Sequence, residues 1–331
     1  MHRFGEGGEV GLWVCEGFRV RQPGDLPPEL HHAAFRVRAG LQLDLTRKRM
    51  RASDLGRPFH GVRQHLPGDG LVQRCLAYAP LMPEWQTFSH ATAARLWGVP
   101  LPGPLEAEAL LHVTAVGRGQ RPRSAGVAGH VADDPAVRIR TRHGLAVVDP
   151  VTAWLQLAPA LTLDDLVAAG DHLVLSPRRG TDNDPRPYVS LAELRERVEQ
   201  FRGRGKRNAA DALELIRDGS ESRRETKLRL RLVRHGLPQP ELNAEIMDED
   251  GVRIGYGDLV YPAMKVLVEY EGEQHRTSSR QFYRDIERHE ALHQAGWTLI
   301  RESKETPSSG PRSTPVRTEL ALRSRGWSPP S

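Results

Sequence analysis

Between Ser220 and Ser303 the period of the apolar residues changes in an order that dictates how the segment can fold. SESRRETKLRLRLVRHGLP reads as a helix: Ser220 can cap it, acids sit in its first turns, and Gly236 then Pro238 end it. ELNAEIMD alternates as a strand and DEDG is a tight turn. VRIGYGDLVYP and KVLVEYEG read as two more strands, with PAM between them. SSRQFYRDIERHEALHQAG is a second helix, with Ser278 as N-cap and Gly296 as stop, and WTLIRES closes as a fourth strand. The order is α-β-β-β-α-β. The first three strands should pair antiparallel, and the crossover helix should set the fourth parallel to the third.

The acids of this segment are not scattered. Glu269 and Glu271 lie two apart on a strand, so their side chains leave one face while Tyr270 leaves the other. A hairpin turning at Pro262 to Met264 would bring Asp258 beside Glu269. Glu225 shares a helix face with Leu228 and Leu232 and so points toward the sheet. Carboxylates gathered without compensation repel one another, and a hard cation such as Mg²⁺ removes that cost. The same spacing also fits acids on the surface of loosely paired strands.

Upstream the chain has a basic start, and its helical stretch from Asp149 to Arg217 reads as scaffold. Residues 1–27 are a loose lead-in rich in Gly, Pro and charge. PPELHHAAFRVRAG and LTRKRMRASDL suggest two short helices and RPFHGVR a turn into a strand, together a winged-helix-like unit within residues 1–70. Its cations include Arg47, Lys48 and Arg49, which could meet DNA phosphates or simply be solvated. Residues 71–219 read as an α/β region followed by helices, with Asp149, Thr162 and Ser190 as N-caps. Within it Ser89 to Gly98 is a capped helix, and LLHVTAV and VRIRTRHGLAVV alternate as strands. His90, His112, His130 and His143 recur at no metal-ligand spacing and read as structural or surface histidines. Residues 306–331 read as a tail. The fold class is therefore mixed α+β.

The 47 Lys plus Arg against 42 Asp plus Glu, a net charge of +5, suit a nucleic acid partner without requiring one. Cys15 and Cys75 are the only cysteines and form no CxxC pair, which argues against a disulfide framework or a cysteine zinc site. With no signal-peptide core and no run long enough to cross a bilayer, a cytoplasmic location with no membrane partner is expected.

RRETKLRL, GDLVYP, VLVEYEGEQH, FYRDIERHEALHQAGW and TLIR resemble the very-short-patch-repair-like endonuclease domains known as domain of unknown function 559, within the PD-(D/E)XK nuclease superfamily. The resemblance spans residues 220–305 and implies a restriction-endonuclease-like αβββαβ core. Residues 30 to 220 are similar, more weakly, to AbiEi-type antitoxins. The resemblance implies that Asp258 and Glu269 ligate Mg²⁺ or Mn²⁺, with the Tyr270 carbonyl as a third ligand. Glu225 would complete the ligand set or orient a water, and Glu271 stands where the superfamily usually has lysine. His275 would act as a proton shuttle or orienter, or else cap its loop. Lys265, about 13 Å from Glu269 along a strand, could reach a phosphate but not the metal. Arg276, Arg280 and Arg284, with Arg229, Arg231 and Arg234, are candidates to hold the nucleic acid backbone. Asp285 and Arg288 read as a surface i, i+3 ion pair rather than a site-facing one, and Trp297 as core.

The expected activity is metal-assisted hydrolysis of phosphodiester bonds, with DNA as the expected substrate. The alternative is a DNA-binding regulator or antitoxin, partnered by operator DNA or a toxin, whose nuclease fold is inert.

Overall fold

A computed structural model describes residues 24–66, 68–117, 119–178, 184–271 and 279–329, the side chains of 279–283 excepted. Within them the chain is α+β with three separate sheets.

In the first unit β1 (Phe35–Arg36) pairs antiparallel with β2 (Val62–Arg63), and α1 (Val37–Gln42) lies between them. Of the two helices expected here, the first is reduced to a 3-10 turn at Pro28–Leu30 followed by β1 and α1, and the second to a 3-10 turn at Arg49–Arg51. The cause is tertiary: Leu26, Leu30, Phe35, Met50 and Leu55 form a small core, and Phe35 reaches it from a strand. Gly40 lies inside α1, where a Cβ would stand 3.0 Å from the Met50 sulfur and the Phe35 ring.

The second unit holds α2 (Gly70–Tyr78), β3 (Gln86–Phe88), α3 (His90–Leu96), α4 (Gly103–Glu106), β4 (Leu111–Val116), β5 (Val127–Ala132), β6 (Ile139–Arg142) and β7 (Leu145–Val148). They form a five-stranded sheet in the order β5-β4-β3-β7-β6, with β4 and β5 parallel. The stretch VRIRTRHGLAVV is a hairpin rather than one strand, because His143 and Gly144 both take positive φ (52° and 73°). Helices α5 (Pro150–Leu157), α6 (Leu163–Val174), α7 (Leu191–Gln200) and α8 (Lys206–Leu213) follow. The side chains of Asp149, Thr162 and Ser190 accept from backbone N–H groups in their first turns, as their sequence positions suggest. Trp154, 1% exposed, anchors the core these helices share with the sheet.

The third unit runs α9 (Arg223–Arg234), β8 (Glu241–Met247), β9 (Arg253–Tyr261), β10 (Val266–Tyr270), α10 (Ser279–Gln294), β11 (Thr298–Glu302) and α11 (Thr314–Arg323). Its sheet order is β11-β10-β9-β8, with β8, β9 and β10 antiparallel and β11 parallel to β10. The element order and strand directions are those read above. The cap of α9 is Ser222 rather than Ser220, whose hydroxyl instead meets Thr226. The expected tail contains α11, and its Leu322 packs with Leu228, Leu259 and Ile300 in the core on the α9 side of the sheet. Trp297 is core on the other side, its Nε1 donating to the Met247 carbonyl. No helix among the described residues is long and apolar enough to cross a membrane.

Candidate functional site

The hairpin turns through a 3-10 segment at Pro262–Met264 and pairs Val268 with Leu259, so the next step of the ladder sets Glu269 opposite Asp258. The Asp258 carboxylate accepts from the Tyr270 backbone N–H at 2.9 Å. Burial pushes the Asp258 pKa up to about 7, with the Glu225 and Glu269 charges adding to the effect and the Tyr270 N–H and Arg288 opposing it. Glu225 is raised too, again chiefly by burial, although the Ser222 hydroxyl and the Glu221 N–H both stabilise its anion. Glu225 thus has two duties: its Oε2 accepts from Glu221 N at 2.9 Å to close the helix start, and its charge bears on Asp258.

Arg288 of α10 does not pair with Asp285, which is exposed. It forks onto both oxygens of Glu269 and donates to the Tyr256 carbonyl at 2.8 Å. The expected surface pair is therefore a site-facing cation joined to one of the candidate ligands. The change follows from α10 lying across β9, which turns Arg288 inward. Arg224 lies over the Tyr270 ring and donates to its hydroxyl. Glu271 is exposed, its N–H donating to the Glu302 carbonyl at 2.7 Å.

Several expected phosphate contacts are otherwise engaged. Lys265 precedes β10 in a left-handed conformation (φ 47°), and its Nζ donates to the Ala295 carbonyl at 3.0 Å and meets Glu249. Arg49 is 9% exposed and forks onto Asp54, whereas Arg47 and Lys48 are exposed. Arg229, 1% exposed, is paired with Asp171; Arg231 pairs with Glu302 and Arg234 with Asp164. Arg284 is exposed. His275 and Arg276 lie outside the described residues, as does the side chain of Arg280.

Among the described residues, three potential metal ligands with donor atoms within 4.8 Å of one another occur only at His90, His112 and His130. The carboxylates of Glu225, Asp258 and Glu269 are looser than that. The histidines come together because β4 and β5 run parallel with Thr114 beside His130, which puts His112, Thr114 and His130 on one face. His90 opens α3 with φ 49°, a strained conformation for a residue with a Cβ, and its N–H donates to Gln156 Oε1 at 2.9 Å. Ser89, read as a helix cap, makes no side-chain cap bond, and its hydroxyl meets His90 Nδ1 at 3.0 Å. Burial and the neighbouring rings lower His90 to about 3 and His130 to about 4, so both are neutral at pH 7. Sequence spacing gave no sign of this group, because β5 carries two small residues ahead of His130 and shows little alternation.

No family model matches the chain, and no solved structure matches it. Uncharacterized proteins from two strains of Mycobacterium tuberculosis are each 32% identical to it over 178 residues, an alignment covering 50% of this chain and 64% of theirs. The chain thus spans just under two thirds of the length of these curated relatives. Neither relative's name states an activity.

Proposed function

We propose that the third unit is a restriction-endonuclease-like domain, as its resemblance to the very-short-patch-repair-like family implies, and that it hydrolyses nucleic acid phosphodiester bonds with Mg²⁺ or Mn²⁺, DNA being the expected substrate. The observation that carries the proposal is Asp258, placed on β9 beside Glu269 of β10 and within the field of Glu225, with its pKa raised to about 7. Three carboxylates against the one guanidinium of Arg288 leave negative charge that a hard cation would neutralise. Asp258 and Glu269 would hold the ion, with the Tyr270 carbonyl beside them. When bound, the ion polarises the phosphate and makes a water nucleophilic near neutral pH. Glu225 would orient that water, and the exposed Arg224 and Arg284 would meet the phosphate backbone.

A second reading draws on one observation. Arg288 occupies both oxygens of Glu269, and Glu271 stands in the usual lysine position, so the domain could serve as an inert platform in a DNA-binding regulator or antitoxin. Purified protein with supercoiled plasmid in Mg²⁺ or Mn²⁺ separates the two. Nicking that is abolished by EDTA, by Glu269→Ala and by Asp258→Asn is expected. Plasmid that stays intact, while DNA binding persists in EDTA, would establish the second reading.

A further inference from the structure

His90, His112 and His130 have no part in the proposed carboxylate site: His112 and His130 lie on the five-stranded sheet and His90 opens α3 beside it. One ring nitrogen from each lies within 4.8 Å of the others, and His112 Nδ1 is 3.0 Å from His130 Nε2. Two imidazole nitrogens on one tetrahedral zinc, each about 2.0–2.1 Å from the ion, stand roughly 3.3 Å apart. In the structure the His112–His130 contact is a hydrogen bond and the His90 ring stacks on His130 with centroids 3.8 Å apart, so an ion would replace that bond and turn the rings toward itself.

The groups around the rings match what a metal-bound histidine needs. Such a histidine presents its second nitrogen to a carboxylate or a similar acceptor. Glu108 Oε2 lies 3.0 Å from His112 Nε2, on the far side of the ring from His130. The two atoms are not aligned as a hydrogen bond, so both are buried without a partner, a cost that turning the ring onto an ion would remove. The Ser89 hydroxyl holds His90 Nδ1, which leaves Nε2 as its free nitrogen. The strained backbone of His90 is kept in place by Gln156. The rings also line a cavity of about 730 Å³, shared with Thr114, Gln156 and Arg121. Arg121 would repel a cation, and Glu108 offsets it.

We propose that His90, His112 and His130 bind a divalent transition metal of the zinc class, with Glu108 orienting His112 and the fourth coordination position open to the cavity. Three protein ligands with one open position is the arrangement of a site that binds or activates a further molecule, rather than a closed structural site.

The test uses the full chain, stripped with EDTA and titrated with Co²⁺ and then Zn²⁺, in an Asp258→Asn background so that the carboxylate site does not contribute. One Co²⁺ per chain with visible absorption, displaced by Zn²⁺, is expected. The combined substitution His112→Gln and His130→Asn should abolish it, and Glu108→Gln should weaken it about 10- to 100-fold. Absence of bound Co²⁺ or Zn²⁺, or binding that survives the double substitution, would overturn the proposal. Should that variant fail to fold, imidazole nitrogen resonances of the unsubstituted sequence decide. Zn²⁺ should move those of His90, His112 and His130 but not His143 or His235, and unmoved resonances in the three would also overturn it.

Discussion

Adding a proton to His172 works against its burial, which together with the nearby Arg186 charge lowers its pKa to about 4. In the unfolded chain a histidine titrates near 6.5. Above about pH 6.5 the ring is neutral in both states and contributes nothing. Below it the unfolded chain takes up the proton first, so stability falls until the folded form protonates near pH 4. Integrated over that window the loss is about 3 kcal/mol at most. His90 and His130 act in the same direction as His172. Asp258, raised to about 7, gains stability over the same range and opposes this fall. Urea melts from pH 7.5 to 4.5 should therefore be compared between the unsubstituted chain and His172→Gln, which should lack the His172 part of the pH dependence. A slope unchanged in His172→Gln would mean that this ring is not neutral and buried as described.

Among the elements, the join of α6 and α9 is built on an ion pair sealed from water. Asp171 and Arg229 are each 1% exposed at the side chain and meet at 2.9 Å. Asp171 also accepts from Thr226 Oγ1 and from the Arg217 N–H, each at 2.8 Å, while Arg229 donates to the Leu215 carbonyl. Burial still raises the Asp171 pKa despite these partners. Removing only the cation strands a buried carboxylate, so Arg229→Ala should cost about 3–5 kcal/mol by denaturant melt. Replacing both, as Arg229→Met with Asp171→Leu, should cost much less, since a well-packed apolar pair can match a buried ion pair. Equal costs for the two variants would show that packing, and not charge, holds the helices together. Arg229 illustrates how a basic residue on an amphipathic helix is misread as a phosphate contact: its position on the apolar face beside Leu228 and Leu232 was visible, its acidic partner on α6 was not.

For the molecule as a whole, the segment read as a tail completes the third unit. Leu322 is fully buried beside Leu228, Leu232 and Ile300, Thr314 and Thr318 are buried, and Arg325 donates to the Gly296 carbonyl and Thr298. Ending the chain after Ser313 would uncover the part of the α9-side core that Leu322 seals. Such a truncation should lower the melting temperature by several degrees and raise binding of a hydrophobic dye. An unchanged melt would show that the four strands with α9 and α10 form a sufficient core.

The α-β-β-β-α-β order, the strand directions and the meeting of Asp258 with Glu269 were determined by the sequence alone. Each follows from local periodicity, turn residues and chain connectivity, which act over a few residues and leave few alternatives. The helix caps at Asp149, Thr162 and Ser190 belong to the same class, since a cap needs only its own first turn. Contacts between distant segments were decided by the tertiary structure. The Arg288 fork on Glu269, the removal of Lys265 to the Ala295 carbonyl, the burial of Arg229 against Asp171, and the assembly of His90, His112 and His130 all join residues whose separation in sequence carries no period. Such pairings depend on which strands lie side by side and how a helix is rotated over them, and both are set by packing of the whole core.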